Sequence, residues 1–195
     1  MIFVSRDENN TLYAGIEEIE YYGYKFNKNI AKSSYPIRIV NNKFGKVIVL
    51  VSGYSRTLQI LLANIESLIS KDKEIDYNYI SKVFVNKFKD ILKAQYLDYE
   101  ENDTGSAKTF LDIVIIFNKK MFIIHDDAII ECENQYYANT DFYTNLEEML
   151  YKSESVHDES FILKMFDRVN KVCNYHKERI LLINDKDYSI KVRKL

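Results

Sequence analysis

The feature that most limits how this chain can fold is a repeated switch of hydrophobic period. Through Lys46-Val47-Ile48-Val49-Leu50-Val51 the apolar run is continuous, as in a strand buried on both faces. From Ser55 to Ser70 the period becomes helical, with Leu58, Leu61, Leu62, Ile65, Leu68 and Ile69 forming one stripe. Asp76 to Leu97 repeats it through Ile80, Val83, Phe84, Phe88, Ile91 and Leu92. Strand patterning returns at Phe110 to Phe117 and Met121 to His125, around the turn Asn118-Lys119-Lys120, then in a shorter strand from Ile129-Ile130 to near Glu133. A short helix is expected from Tyr143 to Tyr151. A longer one runs from Asp158 to His176, faced by Phe161, Ile162, Met165, Phe166, Val169 and Val172. Arg179 to Ile183 and Tyr188 to Val192 read as closing strands around Asn184-Asp185-Lys186-Asp187. Two hairpins open the chain. Ile2-Phe3-Val4 and Thr11 to Gly15 flank Asp7-Glu8-Asn9-Asn10, and Ile37 to Val40 pairs with Lys46 to Val51 across Asn41-Asn42-Lys43-Phe44-Gly45.

The order is strands, two helices, strands, two helices, strands. It does not alternate strand and helix, which argues against a doubly wound parallel sheet. The expected class is α+β, a four-layer αββα sandwich of two mainly antiparallel sheets between helical layers. At 195 residues and 47% apolar content the chain can bury one full core, so residues 1–195 are read as a single domain. Glu100-Glu101-Asn102-Asp103-Thr104-Gly105-Ser106 is the clear loop, and no repeat or linker divides the chain.

Five glycines and one proline exclude collagen-like, linker-like and multi-glycine phosphate-loop chains. The net charge of -2 argues against nucleic-acid binding, although a local basic patch stays compatible with it. No run approaches a membrane span, and the start lacks a signal-peptide pattern, so a cytoplasmic protein is expected. Cys132 and Cys173 lie far apart and read as buried reduced thiols. Abundant Asn, Lys, Ile and Tyr point to an AT-rich genome, that of a low-GC bacterium or its phage.

Three segments carry a family resemblance: Ile2 through Ala14-Gly15; Lys46-Val-Ile-Val-Leu-Val-Ser-Gly-Tyr-Ser-Arg-Thr57 leading into a Leu-rich helix; and Leu111 through Glu131. In order and spacing the chain resembles the proteasome-like N-terminal nucleophile (Ntn) hydrolase family, of the bacterial HslV peptidase type. The resemblance implies a Thr, Ser or Cys nucleophile whose own α-amine acts as base. This sequence departs from that pattern. Alignment on Ala14-Gly15 places Met1 at the start. The family's acid falls on Ile16 with Glu17 one position late, which on a strand means the opposite face. Its lysine falls near Tyr35 or Pro36, with Lys32 and Arg38 nearby, and its oxyanion glycine falls on Leu50. Tyr137-Ala138-Asn139-Thr140-Asp141 replaces its Gly-Ser-Gly turn.

Other clusters have bland readings. His125-Asp126-Asp127 could supply a ligand or base, but reads first as a turn with solvated acids. His157-Asp158-Glu159 reads as a helix start capped by Asp158. Cys173 and His176 are too few for a metal site. Ser52-Gly53-Tyr54-Ser55 lacks the first glycine of a nucleophile elbow. Among 16 tyrosines, Tyr21, Tyr22, Tyr24, Tyr77, Tyr79, Tyr96, Tyr99, Tyr136, Tyr137 and Tyr143 sit in polar surroundings or near element ends, either partly exposed or as interface.

The expectation is therefore a catalytically inactive proteasome-like protein, self-assembling or protein-binding, with no catalytic, cofactor or metal residues and no cofactor. Its partners would be further copies of itself and a host or cellular protein, without nucleic acid or membrane. The alternatives are a divergent threonine/serine-type peptidase or amidohydrolase using His125, Asp126 and Ser52, and a phage protein that binds a host enzyme.

Overall fold

The computed structural model describes residues 1–17, 35–53, 55–95, 111–125, 128–133, 136–139, 157–173 and 179–195. The expected helix at Tyr143 to Tyr151 and loop at Glu100 to Ser106 lie outside them. So do Lys32, Asp126, Asp127, Thr140, Asp141, His176 and six of the ten named tyrosines. The chain divides into two compact units, Met1–Ile19 with Glu133–Leu195, and Glu20–Cys132.

In the first unit, β1 (Ile2–Arg6) and β2 (Leu12–Glu17) form the expected hairpin. Its turn is held by the Asp7 carboxylate, which accepts the Thr11 amide at 2.7 Å. Strand β8 (Tyr136–Asn139), β9 (Arg179–Asn184) and β10 (Lys191–Lys194) complete an antiparallel sheet of order β10-β9-β2-β1-β8. Helix α4 (Glu159–Cys173) packs on the face bearing Phe3, Ala138, Ile180 and Leu182, through Phe161, Ile162, Met165, Phe166 and Val169. Phe3 and Phe166 meet edge to face at 4.9 Å. Gly15 lies in mid-strand beneath this helix. A Cβ there would stand 2.5 Å from Ile162 Cγ2 and 2.8 Å from Phe166 Cε2, so glycine permits the close approach. Asp158 caps the helix, its carboxylate accepting the amides of Ser160 and Phe161 at 2.9 and 3.2 Å. The buried Ser5 hydroxyl donates to the His157 carbonyl at 3.0 Å.

One expected strand is displaced. Tyr188 to Val192 is not extended throughout, and pairing starts only at Lys191. The Asn184 side chain accepts the Lys186 and Asp187 amides, the Asn184 carbonyl accepts that of Tyr188, and Tyr188 has φ 57°. Side-chain-stabilised turning thus outcompetes the strand propensity of Tyr188. Strand β8 was not expected.

In the second unit, β3 (Ile37–Asn42), β4 (Gly45–Gly53), β5 (Leu111–Phe117), β6 (Lys120–His125) and β7 (Ala128–Cys132) form an antiparallel sheet in sequence order. Val47, Ile48, Val49, Leu50 and Val51 are all buried, as the unbroken apolar run requires. Asn118 (φ 48°) and Lys119 (φ 63°) form the two-residue β5–β6 turn, the left-handed pair that matches strand twist. Helix α1 (Ser55–Leu68) contacts β3 and β4. Helix α2 (Tyr77–Tyr79) passes through a π-helical stretch (Ile80–Phe84) into α3 (Val85–Ala94). Tyr79 is buried, not half-exposed. Its hydroxyl donates to the Leu68 carbonyl at 2.6 Å and accepts the Ser70 amide at 2.7 Å, closing the end of α1. Burial pushes its pKa up.

Candidate functional site

The site the resemblance singles out is the start of β1. Ile2 pairs with Ile16, and the Glu17 amide donates to the Met1 carbonyl at 3.3 Å, which sets residue 17 beside residue 1. Cross-strand partners share a face, so Glu17 points to the side of Met1 and Gly15. Its carboxylate Oε2 lies 3.3 Å from the Met1 ammonium, with side-chain exposures of 14% and 10%. This corrects the expectation that Glu17 turns away because it is one position late. Ile16 faces the other side and is wholly buried. The Met1-to-Glu17 pairing follows from counting the hairpin outward from its turn, a signal that alignment on Ala14-Gly15 overlooked.

An amine beside an acid is half of an Ntn-type centre. The other half is a hydroxyl or thiol on the same residue. Met1 offers a thioether, a weak acceptor with no proton to surrender. The nearest β1 hydroxyl in sequence, Ser5, is buried and committed to the His157 carbonyl.

In the second unit, Tyr35 and Pro36 are buried where the resemblance places a lysine. The Arg38 guanidinium donates to the Tyr35 and Ile37 carbonyls at 2.6 and 2.9 Å. Burial lowers its pKa. Leu50 lies mid-sheet between Ile37 and Val114 with its side chain fully buried.

Ser52, Asp112 and His125 stand in one row across β4, β5 and β6. His125 Nδ1 meets Asp112 Oδ1 at 2.5 Å. Asp112 is in the middle, so Ser52 is beside the acid rather than the imidazole. A Ser-His-Asp relay needs the histidine between the other two. The His157 ring stacks on Phe161 at 4.7 Å, and its neighbour Asp158 serves as helix cap, as expected. Cys132 is a buried reduced thiol. Among the described residues no three His, Cys, Asp or Glu side chains converge as a metal site. A concavity beside Tyr13, Glu159, Ile162 and Lys191 is too narrow to admit a water molecule.

Solved structures match this chain closely in fold. The Thiobacillus denitrificans BPH structure is 16% identical over 96% of this chain and 98% of that one, with a TM-score of 0.67. HslV from Trypanosoma brucei is 13% identical over the full length of both, with a TM-score of 0.53. The helical assembly of the Anbu complex from Pseudomonas aeruginosa is 9% identical over 100% of this chain and 86% of that one, with a TM-score of 0.66. No family profile matches the chain, and no curated protein sequence does. Identities this low show the fold alone. The fold class expected from the sequence, an α+β sandwich of the proteasome-like Ntn type, is the one observed.

Proposed function

We propose that this chain is a single-domain proteasome-like protein without N-terminal-nucleophile catalysis, acting as a self-assembling or protein-binding module. The observation that carries the reading is internal to the chain: buried Tyr35, Pro36 and Leu50 stand where the resemblance implies a lysine and an oxyanion glycine. Self-assembly is supported by the Anbu structure, whose helical assembly belongs to that protein. Heterologous contacts of that kind generate either rings or filaments. The composition supports a cytoplasmic setting in a low-GC bacterium or its phage, with a host protein as a further partner.

The test uses epoxomicin, the ligand bound in a second Thiobacillus BPH structure. Incubation followed by intact-mass measurement should return the unmodified mass. An adduct would overturn the inactive reading. The short His125–Asp112 contact favours a second reading, a divergent hydrolase with His125 as base. Fluorophosphonate labelling abolished by His125→Ala and by a single Ser or Thr substitution would establish it, and the absence of labelling would remove it.

A further inference from the structure

The two units carry opposite charge at one sheet end each. At the hairpin end of the second unit stand six exposed lysines, Lys43, Lys46, Lys71, Lys73, Lys119 and Lys120. Backbone geometry gathers them. The Lys43 amide donates to the Lys71 carbonyl at 2.7 Å, and Asn42 Nδ2 donates to the carbonyls of Ser70 and Lys73 at 2.7 and 2.8 Å. Gly45, at φ 150°, lies against Asn118, which opens the Lys119-Lys120 turn. The described carboxylates nearby are Asp72, Glu74 and Glu131, the last paired with Lys120 at 3.1 Å. This stiffened tip holds Phe44 49% exposed, with the Lys43 ammonium 5.8 Å above its ring.

One end of the first unit is acidic. Asp185 exchanges bonds with Leu12, its carboxylate accepting the Leu12 amide and its amide donating to the Leu12 carbonyl. That stitches the turn bearing Asp185 and Asp187 to the turn bearing Asp7 and Glu8. The capping Asp158 lies close by. The field there is felt by Tyr13, whose pKa is raised first by burial and then by the charges of Asp7, Asp158 and Asp185. Arg6, bonded to Asn10, Lys186, and Lys191, which pairs with Glu159 and also acts on Asp187, are bases beside these acids, which they leave in excess.

We propose that these ends dock on each other between copies, the lysine end of one chain seating on the carboxylate end of the next with Phe44 as its apolar anchor. The inference rests on the self-assembly reading and names its contact surfaces. Net charge is only -2, so like-charge repulsion between copies is weak while the two ends are complementary. The contact is heterologous, as head-to-tail assembly requires.

Sedimentation velocity on the full chain tests it, with two charge-reversed proteins, K43E/K119E and E8K/D187K, at exposed positions. At about 0.05 M salt the wild type should associate, and at about 1 M, where the screening length falls to ~3 Å, it should dissociate. Each reversed protein by itself presents like charges at both ends and should lose association about tenfold or more. An equimolar mixture restores complementarity at every contact and should reassemble in alternation, which a merely misfolded variant could not do. Association unchanged in both reversed proteins, or no recovery on mixing, would overturn the docking while leaving self-assembly intact. A wild type monomeric at low salt would remove both. Loss of single-stranded nucleic-acid binding in K43E/K119E with assembly untouched would also overturn the proposal, in favour of a different occupant.

Discussion

Gly15→Ala isolates why the Ala14-Gly15 pair is present. Gly15 sits in regular strand pairing with Phe3 and Leu182, so its backbone asks nothing that alanine cannot adopt. The cost is steric. A Cβ would lie 2.5 Å from Ile162 Cγ2, 2.8 Å from Phe166 Cε2 and 3.1 Å from Leu182 Cδ2. Ordinary carbon contacts are ~3.5–4.0 Å, so α4 must retreat by roughly 1 Å or its side chains must leave their rotamers. Overpacking of this kind costs about 1–3 kcal/mol. Replacing a mid-strand glycine returns about 0.5–1 kcal/mol of backbone entropy. Taken at mid-range, the net loss should be about 1 kcal/mol, a fall in Tm of about 2–5 °C for a chain this long. Urea denaturation followed by circular dichroism measures it. Ile162→Ala removes the clashing Cγ2, so the G15A/I162A double variant should show a favourable coupling of about 0.5–2 kcal/mol relative to additivity. A neutral or stabilised G15A, or strict additivity with I162A, would refute the steric account.

Tyr79→Phe strips the hydroxyl from the Leu68 carbonyl and Ser70 amide, and should cost about 1–3 kcal/mol in the same denaturation assay. Because burial raises the Tyr79 pKa, its stabilisation is complete below the unfolded value of 10.0 and is lost as pH rises through the folded one. Stability measured above about pH 10 should therefore fall less steeply in Tyr79→Phe than in the wild type. Asp158→Ala should destabilise by about 0.5–2 kcal/mol through loss of the α4 cap. The Asp158 pKa is lowered, chiefly by its bond from the Ser160 hydroxyl and then by backbone amides, against the opposing effect of burial. Its contribution is present above the unfolded value of 3.8 and disappears as pH falls through the folded one, so Asp158→Ala should flatten the acid limb of the stability profile.

Long periodic segments were legible because their periods are set by burial. The stripe from Leu58 to Ile69 could only be one face of α1, and the unbroken run at Val47 to Val51 could only be a strand covered on both sides. Short or polar elements were not. Strand β8 has four residues and pairs with β1 across more than a hundred positions, a non-local contact that local patterning does not encode. The start of β10 was misplaced because Asn184 and Asp187 spend their side chains on backbone amides. The polar setting of Tyr79 in sequence conceals that its partners are main-chain groups at the end of another helix. At the candidate site, the thioether at Met1 was plain from sequence, whereas the reach of Glu17 to the Met1 amine depended on hairpin register. The lysine-rich end of one unit and the carboxylate-rich end of the other emerge only once the turns within each unit are brought together.

The central claim is that this scaffold works by association between copies rather than by bond cleavage. Multi-angle light scattering on the full chain at micromolar concentration and low salt tests it most directly. The account predicts a mass that is a multiple of 23.1 kDa and falls as salt is raised. A single species of 23.1 kDa at every concentration and salt would contradict it.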